Sequence, residues 1–178
     1  MMLASLYGAQ SPEQQQNAFV KTPEGCRKII FATNIAETSL TVDNVGYVID
    51  CGFVKQKQYS AETGMESLVT VPISKVQALQ RSGRAGRTRA GKCLRLYTEE
   101  FHSQQMPNQT LPEIKRVNLA CTVLTLKSMQ IADVLNFEFL DKPDEDSLRH
   151  ALKQLFLLDA LDADGRLRML GECLARLP

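Results

Sequence analysis

The chain has 178 residues, 44% of them hydrophobic and 23% charged, a balance that excludes a disordered chain and suits one domain or one and a half. Its 21 Lys and Arg stand against 20 Asp and Glu, which excludes a globally polybasic nucleic-acid binder and leaves any such contact to local clusters. One cluster exists: Arg81, Arg84, Arg87, Arg89, Lys92 and Arg95 follow one another with no acidic residue between them, and they require an anionic partner or open solvent.

The first predicted element is a helix from Ser11-Pro12-Glu13-Gln14 to about Val20, with Ser11 as N-cap, proline at the first helical position and Gln three residues after the cap. Arg27–Thr33 is a short apolar run entered from a Pro-Glu-Gly turn, and Gly46–Asp50 is a second one ending in Cys51-Gly52. Both read as buried strands of a parallel sheet. Phe53–Tyr59 and Met65–Val71, separated by a glycine-containing loop, predict a hairpin projecting from that sheet. Ser74 and Gln77 form a second capping box opening a helix through Gln80, and Lys92–Tyr97 is a further strand.

The polar stretch His102–Leu111 reads as a linker, placing a first domain at 1–103 and a second at 104–178. In the second, Thr110-Leu-Pro-Glu113 predicts a third capping box, with Ile114, Val117, Cys121 and Leu124 spaced as an amphipathic helix. Leu148, Ala151, Leu152, Leu155 and Leu158 repeat that spacing after Pro143-Asp144. Asp162-Ala-Asp-Gly165 then turns the chain into a short wing-like strand pair. The class expected is α/β, followed by a small, mostly α module.

Cys26, Cys51, Cys93, Cys121 and Cys173 are scattered, with only His102 and His150 to join them, so no metal site is expected. Unclustered thiols and no recognisable leader predict a reducing interior, nucleus or cytoplasm. No apolar run reaches the length of a membrane span, and a soluble chain with no membrane partner is expected.

Chemistry concentrates in Gln80-Arg-Ser-Gly-Arg-Ala-Gly-Arg87. On a helix, Gln80, Arg84 and Arg87 fall on one face, giving an amide and two guanidinium forks. Such forks match phosphate oxygens and can brace a transferring phosphoryl group while an amide orients water. Gly83 and Gly86 each cost a helix about 1 kcal/mol relative to alanine, which implies the close approach of another backbone or a ligand. Taken alone, the octet also reads as a solvated basic loop.

The octet resembles motif VI of superfamily 2 helicases, and Phe31-Ala-Thr-Asn-Ile-Ala-Glu-Thr-Ser-Leu-Thr41 resembles motif V of the DEAH-box branch, in that family's order and spacing. Val42-Asp43 through Val48-Ile49-Asp50-Cys51-Gly52 is similar to the strand after motif V, and the hairpin stands in the place of a strand-separating hairpin. Pro112–Arg116 and Leu152–Asp162 resemble the winged-helix domain. Leu6-Tyr7-Gly8 and Gln14–Phe19 match loosely, with Gln10-Ser11 where a Leu-Pro is usual.

The resemblance implies a RecA-like lobe followed by a winged-helix module, in an ATP-dependent RNA helicase using ATP with Mg²⁺. It implies that Gln80 places the attacking water and that Arg84 and Arg87 are fingers to the triphosphate. Gly83 and Asp43 would lie on the nucleotide side, Asp43 reading equally as half of a turn-forming Asp-Asn. Thr33, Asn34 and Thr41 would contact the RNA backbone, Thr33 reading also as a β-branched strand end. Arg81 and Arg89 read as surface charge, Lys55 and Lys57 as solvated, and Glu37 and Thr38 as structural or functional alike. Single-stranded or duplex RNA is the implied partner, with a protein activator as a further candidate.

The sequence contains no G-x-x-x-x-G-K-[ST] loop and no Asp-Glu-Ala-His tetrad. The chain is therefore expected to be part of a longer one and not to hydrolyse ATP alone. The alternative is a non-catalytic RNA- or protein-binding module that keeps the fold.

Overall fold

The computed structural model describes residues 1–38, 40–60, 62–87 and 90–177; Arg89 lies outside the described residues. The chain forms two compact units, one built from Met1–Lys55 with Thr70–Thr110 and the other from Gln56–Val69 with the residues from Leu111 onward.

In the first unit, strand β1 (Met2–Leu6) runs parallel to β2 (Lys28–Ala32), with Met2 opposite Lys28 and Leu6 opposite Ala32. Parallel strands need a crossover, and helix α1 (Pro12–Phe19) supplies it. The Ser11 hydroxyl accepts from the Gln14 amide at 3.3 Å while the Gln14 side chain accepts from the Ser11 amide, so the predicted capping box forms in full. β1 itself was not visible in the sequence. Only Leu6 of its five residues is buried, and Ala4 and Ser5 weaken the strand pattern.

A short helix α2 (Ile35–Thr38) follows β2. Strand β3 (Tyr47–Asp50) then pairs in parallel with β6 (Lys92–Arg95), Tyr47 opposite Lys92 and Asp50 opposite Arg95. The parallel pairing expected for the first domain is thus present, although the two strands read from the sequence each pair with a different partner. Between them in the chain lie the hairpin strands β4 (Phe53–Ser60) and β5 (Met65–Pro72) and helix α3 (Lys75–Ser82). Ser74 caps α3 through a second complete capping box with Gln77.

Ile73, Ala78 and Met106 form the buried centre of this unit, packed by Val54, Tyr97 and Phe101. Gly52 sits beside it at φ 80°, a left-handed conformation that disfavours any side chain, and a Cβ there would lie 2.6 Å from the Tyr97 ring. The stretch read as a linker is not slack. It makes one π-helical turn (Phe101–Gln105), buries Met106, and offers the carbonyls of Pro107 and Asn108 to the amides of Lys75 and Val76 at 2.8 and 3.3 Å.

In the second unit the predicted capping box at Thr110 does not form. The Thr110 hydroxyl, which belongs to the first unit, instead donates to Gln77 Oε1 at 2.8 Å. Glu113–Lys115 is a single 3₁₀ turn, and helix α4 (Ala120–Ser128) begins five residues later than Lys115.

Helix α5 (Glu145–Leu157) follows the predicted pattern, with Asp144 accepting from the Ser147 amide and Leu148, Ala151 and Leu155 buried. These pack with Leu119, Val123, Leu124, Leu126 and Val134 into one core. The wing-like pair reduces to a single antiparallel bridge, Leu161 to Leu167, around a turn in which Asp162 Oδ1 accepts from the amides of Asp164 and Arg166. Helix α6 (Met169–Leu174) closes the described chain. The hairpin's distal half belongs to this unit: the Tyr59 amide donates to the Arg116 carbonyl at 2.8 Å and Arg116 donates to the Lys57 carbonyl at 2.9 Å.

Leu148 is fully buried at the centre of the second core. Leu148→Ala is expected to lower stability by about 3 kcal/mol through lost burial and a residual cavity, as measured by urea denaturation, whereas Leu140→Ala, at a fully exposed position, should change it little.

Candidate functional site

In open α/β sheets, ligands meet the carboxyl ends of the parallel strands, where loops and helix termini converge. Here the carboxyl end of β2 carries Thr33 and Asn34, and that of β3 carries Asp50, Cys51 and Gly52. The Thr33 amide is held by the Leu6 carbonyl at 3.0 Å, and the carbonyls of Thr33 and Asn34 accept from Ala36 and Glu37 at the start of α2. With their backbones fixed this way, both side chains remain exposed.

Behind that surface lies a buried ionic cluster. Arg81 Nε donates to Glu37 Oε1 at 2.7 Å and Nη1 to Asp50 Oδ1 at 2.8 Å, so one guanidinium joins α3 to α2 and to the end of β3. Its side chain is 15% exposed, that of Glu37 8% and that of Asp50 0%. Two carboxylates against one cation leave an excess of negative charge, which neutral donors absorb: Tyr97 Oη to Asp50 Oδ2 at 2.9 Å, the Gly52 amide to Asp50 Oδ1 at 3.0 Å, and Gln77 Nε2 to Glu37 Oε2 at 3.1 Å.

Burial alone would lower the Arg81 pKa, but its hydrogen bonds and charge contacts with Asp50 and Glu37 outweigh that and raise it. Burial, then the Asp50 carboxylate, pushes the Tyr97 hydroxyl up to about 12. The cluster is therefore a fixed ionic tie at neutral pH.

The reading of Arg81 as surface charge is thus corrected, because its anionic partners are within the chain. A carboxylate ending an apolar strand, Asp50, and a cation four residues after a capping Gln, Arg81 beside Gln77 on one helical face, were the available signals. Glu37 resolves as structural for the same reason. Lys55 and Lys57 are exposed, as read.

The octet is only partly helical. α3 ends at Ser82, and Gly83 to Gly86 continue in turns closed by bonds from the Arg84 amide to the Arg81 carbonyl and from Ala85 to Ser82. Arg84 and Arg87 therefore lie beyond the helix that was expected to align them with Gln80. Arg84 bends back so that Nε donates to the Gln80 carbonyl at 3.3 Å, while its Nη1 is buried and has no partner among the described residues. Arg87 Nη1 donates to the Thr41 hydroxyl, bringing the end of one motif to the end of the other.

Asp43 is exposed in a turn with Asn44, whose φ is 58°. A Cβ on Gly83 would lie 3.3 Å from the Leu79 carbonyl oxygen, and one on Gly86 would meet nothing within 4 Å. The close backbone approach expected at these glycines falls instead at Gly91, where a Cβ would stand 2.1 Å from the Ala85 carbonyl oxygen.

The model of the helicase conserved C-terminal domain matches residues 1–89, and that of the helicase-associated winged-helix domain matches residues 151–178. The chain belongs to the DEAH/RHA helicases. It is 47% identical over all 178 residues to the human probable ATP-dependent RNA helicase DHX40, and 49% identical to the pre-mRNA-splicing factor ATP-dependent RNA helicase prp22 of Schizosaccharomyces pombe. It spans 23% and 15% of their lengths. A crystal structure of the Escherichia coli DEAH/RHA helicase HrpB superposes with a TM-score of 0.90 at 35% identity, over 98% of this chain and 22% of that one. The mixed α/β architecture with parallel pairing is the RecA-like C-terminal lobe of this family.

Among the described residues no group of three or more His, Cys, Asp or Glu is placed to hold a metal ion, and no helix is long and apolar enough to cross a membrane. Within the helicase lobe, the tie at Arg81 has a measurable consequence. Arg81→Met strands two buried carboxylates and is expected to lower stability by about 3–5 kcal/mol, read from the urea midpoint followed by near-ultraviolet signals of Tyr97.

Proposed function

We propose that this chain is the half of an ATP-dependent RNA helicase that closes on a nucleotide held elsewhere, completing the hydrolytic site with Arg84 and Arg87 and gripping the RNA backbone with Thr33, Asn34 and Thr41. The observation that carries this reading is the buried Nη1 of Arg84, a charged donor without a partner among the described residues. An unmet buried donor is costly unless something satisfies it, and the oxygens of a triphosphate are the acceptors that suit a guanidinium.

In this reading Arg84 and Arg87 neutralise charge on the transferring phosphoryl group, and the Gln80 amide orients water. Asp43 and Gly83 lie on the nucleotide side. Mg²⁺ would be held by the nucleotide and the partner lobe, because this chain offers it no acidic cluster among the described residues. Thr33 and Asn34 present exposed polar groups at a strand end, the kind of contact that grips phosphate without reading bases. Residues 1–103 form the motor lobe in this proposal and 104–178 the winged-helix region. The nucleus or cytoplasm is the setting, a splicing role being the printed function of one relative.

ATP turnover should be measured with and without single-stranded RNA, for the 178-residue chain and for the human relative whose matching segment has been exchanged for it. The chain alone should be inactive and the exchanged enzyme RNA-stimulated; two inactive proteins would favour a non-catalytic binding module. In the exchanged enzyme, Arg84→Ala or Arg87→Ala should depress kcat by about 100-fold or more. Turnover near that of the parent would remove the finger assignment.

Thr33→Val, which keeps shape and deletes the hydroxyl, should weaken RNA stimulation several-fold while leaving nucleotide affinity unchanged. Loss of nucleotide affinity would place Thr33 on the other side of the cleft.

A further inference from the structure

Arg84 lies in a turn and Arg87 in the bend that follows it rather than on a helix, so something other than helical hydrogen bonds must hold them. Each turn bond runs only back to the end of α3, from Arg84 to Arg81 and from Ala85 to Ser82. Ala85, between the two arginines, is 2% exposed. Its burial is against Gly91. A Cβ built on Gly91 would lie 2.1 Å from the Ala85 carbonyl oxygen, 2.7 Å from its carbonyl carbon and 2.8 Å from its Cβ, so the two backbones are in direct contact.

Gly91 is itself held by the sheet. The next residue, Lys92, opens β6, where its amide donates to the Gly46 carbonyl at 2.9 Å and the strand pairs with β3. The start of β6 thus presents a rigid backbone surface, and the arginine turn rests on it.

We propose that Gly91 is a positioning residue for the arginine turn: the absence of a side chain there lets Ala85 seat on the start of β6, fixing where Arg84 and Arg87 point. This rests on the finger reading above and adds to it a residue outside the octet. A methyl group cannot be absorbed by rotating a side chain, because two of its three nearest atoms are backbone. The turn must move instead. A displacement of about 1 Å in a group that acts on the transition state costs on the order of 100-fold in rate.

Gly91→Ala is tested in two settings. In the 178-residue chain, hydrogen exchange should speed up at the Arg84 and Ala85 amides while those of α5 keep their protection. In the exchanged enzyme, kcat should fall by about 10-fold or more, with the KM for ATP and single-stranded RNA affinity within about two-fold of the parent. Ala85→Gly introduces no clash and loosens the same contact from the other side; it should lower kcat about three-fold or more with RNA affinity unchanged.

Parent-like kcat in both variants, or losses matched by equal losses of RNA affinity, would overturn the proposal. If Gly91→Ala does not fold, Ala85→Gly alone decides. A drop in Arg84→Ala and Arg87→Ala without one in Gly91→Ala and Ala85→Gly sinks only the role of Gly91, whereas parent-like turnover in the arginine variants sinks the finger reading and this inference together.

Discussion

The first unit depends on one guanidinium. Arg81 reaches from α3 to Glu37 on α2, to Asp50 at the end of β3 and to the Phe53 carbonyl at the start of β4. Such a tie contributes less to net stability than to uniqueness, because desolvating three charges offsets much of their attraction. Its value is geometric. Removing any member leaves the others buried and uncompensated, so the helix carrying Gln80 can sit in only one place relative to the strand ends carrying Thr33 and Asn34.

That fixed frame explains why the exposed polar groups are arranged as they are. Gln77 and Arg81 face inward from α3 to the same carboxylate of Glu37, and the chain carrying Arg84 and Arg87 continues from the end of that helix. Within one short octet, the first arginine is structural and the later two are free of carboxylate partners among the described residues. Arginine suits both uses for the same reason, a planar fork that donates to two oxygens, whether of carboxylates inside the lobe or of phosphates outside it.

Membership of the DEAH/RHA helicases was legible because Phe31–Thr41 and Gln80–Arg87 are long, ordered and chemically specific. Local structure was legible wherever the signal was local. Ser11 with Gln14 and Ser74 with Gln77 predicted helix starts correctly, since a capping box is completed within four residues. The same pattern at Thr110 forms no capping box, and its hydroxyl donates instead to Gln77, more than thirty residues away in the chain.

Sequence by itself thus determined the α/β class, the two helix-capping sites and the periodic helix α5, all set by near-neighbour hydrogen bonding and side-chain spacing. Tertiary structure alone decided that Arg81 pairs with Glu37 and Asp50, that Arg84 Nη1 has no partner among the described residues, that Arg87 meets Thr41, and that Gly91 rather than Gly86 receives another backbone. Those outcomes depend on which distant segments come within a few ångströms once the strands pair, and no periodicity in a linear chain encodes that distance.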